Sequence, residues 1–151
     1  MGGTTALKSD LPTTSLGLLL AFHALPLETV PKNVLDSLRK KGSVTILQNN
    51  CVLETSRQLA EQLELFPGTK AILLTRFSAI ASAVCNRKTA LRALVGEDPA
   101  RMEDDAKSLG ANLLILDPER SGFFRTRQMM ERFISLGPAA CPSNIRKGLL
   151  S

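Results

Sequence analysis

The chain has 151 residues, 44% of them hydrophobic, and a net charge of +5 from 19 basic and 14 acidic side chains. That is enough apolar material for one buried core, and it excludes a mainly disordered chain. With six Phe and no Tyr or Trp, it disfavours a nucleic-acid binder that stacks bases on aromatic platforms.

Residues 1–14 are rich in Gly, Thr and Ser and read as a loose leader. SLGLLLAF, starting at Ser15, is a continuous apolar run suited to a strand buried on both faces. A helix is predicted from Thr29 to Lys41, with Pro31 in its first turn and Val34, Leu35 and Leu38 inward. Gly42 ends it, and SVTILQ supplies a second strand. Val52, Ser56, Leu59, Leu63 and Phe66 recur at helical spacing until Pro67-Gly68 breaks the pattern.

TKAILLT is the third strand, followed by a helix predicted to turn Phe77, Ile80, Ala81 and Val84 inward. TALRALV is the fourth strand. Asp98 suits the N-cap of the next helix, Pro99 its first position and Gly110 its C-terminal stop. NLLILD is the fifth strand, and Ser121 is placed to cap a last helix carrying Phe123, Met130, Phe133 and Ile134. The tail, 137–151, follows the α/β unit of 15–136.

Five strand–helix units predict a three-layer αβα Rossmann-like sandwich around a five-stranded parallel sheet. Ligands of such sheets bind beyond the carboxyl ends of the strands. That rule selects Phe22–Leu25, Gln48–Cys51, Thr75–Ser78, Gly96–Asp98 and Asp117–Ser121.

Three cysteines (Cys51, Cys85, Cys141) without CxxC spacing, beside a single His, argue against a zinc site; no metal or cofactor is expected. Reduced thiols in a cytoplasmic protein are the plain reading. The apolar run Leu16–Leu25 is too short to span a bilayer, and with Asp10 ahead of it and Lys8 as the sole preceding base it does not read as a secretion signal. Arg125, Arg127 and Arg132 read as a solvated helix face rather than a polyanion site.

Three stretches carry a family resemblance: LLLAFHALPLETVPKNVLDSLRKKGSVTILQ, TRFSAIASAVCNRKTALRALV and GANLLILDP. In order and without large gaps over residues 16–136, they resemble the type B ribose-5-phosphate isomerases and the related galactose-6-phosphate isomerase subunits. The first resembles a strand ending in Asp-His-Ala-Gly, the second a Cys-Gly-Thr-Gly loop with its helix, and the third an Asn-Asp-Ala-Asn strand.

The resemblance implies an aldose–ketose isomerase scaffold, in which a base moves a proton between adjacent carbons and an anion hole steadies the enediolate. The family's catalytic Cys falls on Thr75, a far weaker base than a thiolate, and the alternative Glu of the following helix falls on Ala81. The Gly-rich loop becomes Arg76-Phe77-Ser78-Ala79-Ile80, and the opening Asp and Gly become Phe22 and Leu25 around a retained His23-Ala24. The ring-opening His falls on Glu97, and a His-Asn pair on Ser108 and Leu109. For the family's tail arginines that reach across a dimer, Arg146 and Lys147 are the loose candidates. Asn86 and Asn112 are retained, and read equally as structural residues.

Read this way, Thr75 and Glu97 are the remaining catalytic candidates, and His23, Arg76, Ser78, Asn112 and Arg146 the candidate sugar-phosphate contacts. His23 reads as a ligand contact or as a satisfied core residue, and Arg76 as a replacement phosphate ligand or a surface arginine. Glu97 serves as a base only if burial raises its pKa. Cys51 is a reactive thiol or a free structural one. The favoured function is a catalytically degenerate isomerase relative, a pseudoenzyme that binds a sugar phosphate or acts as a partner subunit. An active isomerase with relocated groups and a non-enzymatic scaffold or polyanion-binding module stay open. A homodimer or larger oligomer, with or without a second family chain, is what the resemblance implies; nucleic acid and membrane are not expected partners.

Overall fold

The computed structural model describes residues 17–137. The expected leader, and the tail from residue 138 with Cys141, Arg146 and Lys147, lie outside the described residues. Five parallel strands, β1 (Leu18–His23), β2 (Val44–Asn49), β3 (Lys70–Thr75), β4 (Ala93–Val95) and β5 (Leu113–Leu116), form one sheet in the order β2-β1-β3-β5-β4. The helices are α1 (Lys32–Lys41), α2 (Val52–Leu65), α3 (Ser78–Cys85), α4 (Pro99–Leu109), α5 (Pro118–Ser121) and α6 (Phe123–Ser135).

Side chains alternate along each strand, so one sheet feeds two cores. Leu18, Leu20, Phe22, Ile72, Leu74, Leu114 and Leu116 pack with Val34 and Leu38 of α1, Met102 and Ala106 of α4, and Met129, Met130 and Phe133 of α6. Leu19, Ala21, Ala71, Leu73, Leu113 and Ile115 pack with Leu59 and Leu63 of α2 and Ala81 and Cys85 of α3. This is the three-layer αβα sandwich expected from the sequence, with its continuous apolar runs buried on both faces.

Four local expectations are corrected. Pro31 is the N-cap of α1 rather than a first-turn residue; it forces Val30 into an extended conformation, and Leu27–Thr29 becomes a separate 3-10 turn. Helix α3 turns Ser78, Ala81 and Cys85 to the sheet, leaving Phe77 at 49% and Ile80 at 56% exposure. Small side chains let α3 lie close to the sheet, so counting apolar residues picked the wrong face.

The fourth strand begins only at Ala93. Before it, the Arg92 carbonyl accepts from Asn112 N–H and Leu113 N–H, and side-chain amides hold the rest of the chain. Asn112 Nδ2 donates to the Ala90 carbonyl and its Oδ1 accepts from Arg92 N–H, both at 2.8 Å. Asn86 grips the N–H and the carbonyl of Ala93 at 2.8 and 3.0 Å. Finally, Ser121 does not cap the last helix. Asp117 accepts from Glu119 N–H and Arg120 N–H to start α5, and Gly122 at φ +82° turns the chain before α6.

The helix from Asp98 follows the sequence reading: Asp98 accepts from Arg101 N–H at 3.0 Å, Pro99 opens α4, and Gly110 at φ +66° stops it. Gly96, just past β4, is needed for another reason. A Cβ there would come within 2.9 Å of Leu116 Cδ2 and 3.1 Å of Met129 Sδ.

Replacing Asn112 by Ala strands the Ala90 carbonyl and the Arg92 N–H, so about 2–3 kcal/mol of stability should be lost. Denaturant unfolding of Asn112→Ala measures this, and the β1–β3 end of the sheet should keep its amide shifts.

Candidate functional site

Strands β1 and β3 are neighbours, yet β1 leads to α1 on one face and β3 to α3 on the other. Their carboxyl ends therefore flank a crevice of the kind where open α/β sheets bind ligands. The register pairs His23 with Thr75, the last residue of each strand. His23 Nδ1 lies 2.9 Å from Thr75 Oγ1, and the same hydroxyl accepts from Phe77 N–H at 3.0 Å.

Both side chains are buried, His23 at 6% exposure and Thr75 at 0%. Burial lowers the His23 pKa, and hydrogen bonding to the Asn50 backbone opposes the shift. The imidazole is thus neutral at neutral pH and does not supply a positive charge to a phosphate. The exposed Phe77 ring meets it edge-on, 5.9 Å between centroids. Directly after His23, Ala24 holds φ +56°, the single described non-glycine residue with positive φ. Such a conformation costs about 1 kcal/mol or more. Its N–H donates to the Asn49 carbonyl at 3.0 Å, which binds the turn to the end of β2.

The first backbone hydrogen bond of α3 runs from Ala81 N–H to the Phe77 carbonyl at 2.9 Å. The N–H groups of Ser78, Ala79 and Ile80 precede it and have no partner within the helix, which makes this end an anion cradle in form. Ser78 is buried at its first position. Arg76 stands beside it, half exposed, with Nε 2.9 Å from Glu119. An exposed pair of this kind contributes about 0–1 kcal/mol, so a phosphate can take over the guanidinium at little cost.

Glu97 is reached by Arg120 at 3.6 Å, and its side chain is 67% exposed. It stands in the open at the rim and not in the buried position that a carboxylate base would take. Asn112 precedes β5, at the opposite end of the sheet from Thr75, and both ends of its amide are used by the backbone. It is structural, as is Asn86. Phe22 is also structural, buried at 1% in the core under α1.

The structure thus brings together His23, Thr75, Arg76 and Ser78, sets Glu97 at the rim beside Arg120, and removes Asn112 from the site. Arg146 lies outside the described residues. Glu119 and Arg120 lie in the Asp117–Ser121 stretch that the carboxyl-end rule selects but were not singled out as site residues, although Asp117-Pro118 repeats the cap-and-proline pattern of Asp98-Pro99 and announces a helix start there. Cys51 is an exposed free thiol, its N–H bound to Asn49 Oδ1 at 2.8 Å. Burial raises the Cys85 thiol to about 11, which makes it an inert core residue. Among the described residues, no three His, Cys, Asp or Glu side chains gather as a metal site, and no helix is long and apolar enough to cross a membrane.

The architecture defines an open parallel α/β fold with a crevice at its topological switch point. The sequence matches no protein-family model and none of the curated proteins. Among solved structures, the fold is that of ribose-5-phosphate isomerase B. The Mycoplasma genitalium enzyme with bound ribulose-5-phosphate is 14% identical, with a TM-score of 0.74 over 90% of this chain and 94% of that one. The Thermotoga maritima enzyme is 16% identical, with a TM-score of 0.73 over 89% and 97%. The type B enzyme of Trypanosoma cruzi is 12% identical, with a TM-score of 0.70 over 87% and 92%.

Because burial depresses the His23 pKa, folding favours the neutral ring. Its contribution is complete above the ordinary imidazole value of 6.5 and is lost as pH falls through the lower folded value. NMR should place the His23 midpoint below 6.5, and the fall in stability over that window should be absent in His23→Gln.

Proposed function

We propose that this chain binds a sugar phosphate at the carboxyl ends of β1 and β3 and has lost the proton transfer of an aldose–ketose isomerase. It works as a binding or partner subunit in the cytoplasm, in a homodimer or larger assembly, with itself or with a second chain of the same fold. The observation that supports this most is the state of Thr75. Its hydroxyl is fully buried, accepts from Phe77 N–H and is paired with His23. A threonine hydroxyl so engaged is not a base for a C–H proton.

The groups at the start of α3 suit binding better than proton transfer. The sugar-phosphate anion would sit on the free N–H groups at the start of α3, with Arg76 released from Glu119 to hold it. Phe77 covers His23 and narrows the space where an enediolate would form. The fold it shares with an enzyme holding ribulose-5-phosphate supports the choice of ligand class. The outward Phe77 and Ile80 support an assembly through the α3 side of the sheet.

The test is deuterium wash-in next to the carbonyl of pentose and hexose phosphates, run beside calorimetric binding of the same sugars. Expected are no exchange, saturable binding, and about tenfold weaker binding in Arg76→Ala. Exchange that disappears in Glu97→Gln would replace this proposal with an active isomerase using a relocated base. Failure to bind any sugar phosphate would overturn it outright. Ile80→Glu should convert an oligomer to monomer in light scattering without unfolding it; an unchanged mass would remove the α3 face from the assembly.

A further inference from the structure

The other end of the sheet holds a buried cation that the proposed function does not use. Lys70 opens the central strand β3 at 5% exposure. Its Nζ donates to the Phe133 carbonyl in the last turn of α6 at 2.6 Å and lies 4.7 Å from the Phe133 ring centroid. Burial pushes its ammonium down to about 8. An ammonium carries three donors, and among the described residues the Phe133 carbonyl takes one of them.

A cavity of about 40 Å³ adjoins it, lined by Lys70, Lys41, Ser43, Leu18, Leu38 and Ile134, with Gly17 and Gly42 completing the wall. On this measure a single water needs roughly 10–15 Å³, so there is room for more than one solvent molecule. Ser43 Oγ is buried with no hydrogen-bond partner among the described residues. Among the described residues, the lining therefore holds two amines, one hydroxyl without a partner and no carboxylate. Its remaining walls are aliphatic or bare backbone.

We infer that this cavity is a binding site for a small aliphatic monocarboxylate, whose oxygens are held by Lys70 Nζ and Ser43 Oγ and whose alkyl end rests on Leu18, Leu38 and Ile134. The charge and the hydroxyl call for an anion with two acceptor atoms. The apolar walls select against phosphate, which would leave oxygens unpaired on aliphatic carbon. The site lies across the length of the sheet from His23 and Thr75 and is independent of the sugar-phosphate reading. The sequence does not reveal it, because a Lys at the start of an apolar strand reads as an exposed end.

The full chain is titrated at neutral pH and constant ionic strength with sodium propionate, then with inorganic phosphate, while amide shifts are followed by NMR. Expected is saturable propionate binding with shifts at Gly17, Gly42 and Lys70 and none at Thr75. Phosphate should produce no saturable shift at those three residues. Lys70→Met should lose about tenfold or more in affinity. Since that variant also removes a contact to α6, Ser43→Ala is the second arm, expected to weaken binding about threefold or more with the fold intact. Absence of saturable binding, phosphate binding equal to that of propionate, or unchanged affinity in Ser43→Ala would each overturn the assignment.

Discussion

The register of β1 against β3 is the constraint from which the carboxyl end of the sheet follows. Leu18 lies opposite Lys70, and five rows later His23 lies opposite Thr75. Both strands are buried throughout, and a slip of one residue would exchange their two cores face for face. The hydrogen bond between His23 and Thr75 is thus fixed by the packing of leucines and isoleucines well away from it. Nothing in the crevice has to position it.

That rigidity separates two kinds of polar contact. The His23 and Thr75 side chains are buried, and breaking their bond would strand a donor or an acceptor in a dry place. Around it, Arg76 with Glu119 and Arg120 with Glu97 join the loops after β3, β5 and β4 across water. Those pairs are weakly held and can exchange partners. A stiff, chemically quiet floor with a rim of exchangeable charges suits recognition better than proton abstraction.

The fold was legible because its signals were local and mutually consistent. Apolar runs gave the strands, and Asp98-Pro99 with Gly110 bounded α4 as read. The face of α3 was misread because close packing favours small residues, and Ser78, Ala81 and Cys85 outweigh Phe77 and Ile80 for that purpose. The length of β4 was misread because the side chains of Asn86 and Asn112 take up backbone groups of Ala90, Arg92 and Ala93 that a longer strand would have paired. For the site, His23, Thr75, Arg76 and Ser78 could be named from the carboxyl-end rule. Their pairing could not, since it depends on which strands are neighbours. Lys70 was invisible for the same reason: only the return of α6 over the start of β3 buries it.

The brevity of β4 also bears on how the protein behaves at high concentration. An edge strand offers a row of unpaired backbone groups on which a foreign strand can template. Here one edge of the sheet is three residues long, and the chain leading into it is already clamped by Asn86 and Asn112. The opposite edge, β2, runs for six residues. Self-association into extended sheet would therefore begin at β2, and a lysine or proline on its outward edge would be the economical place to suppress it.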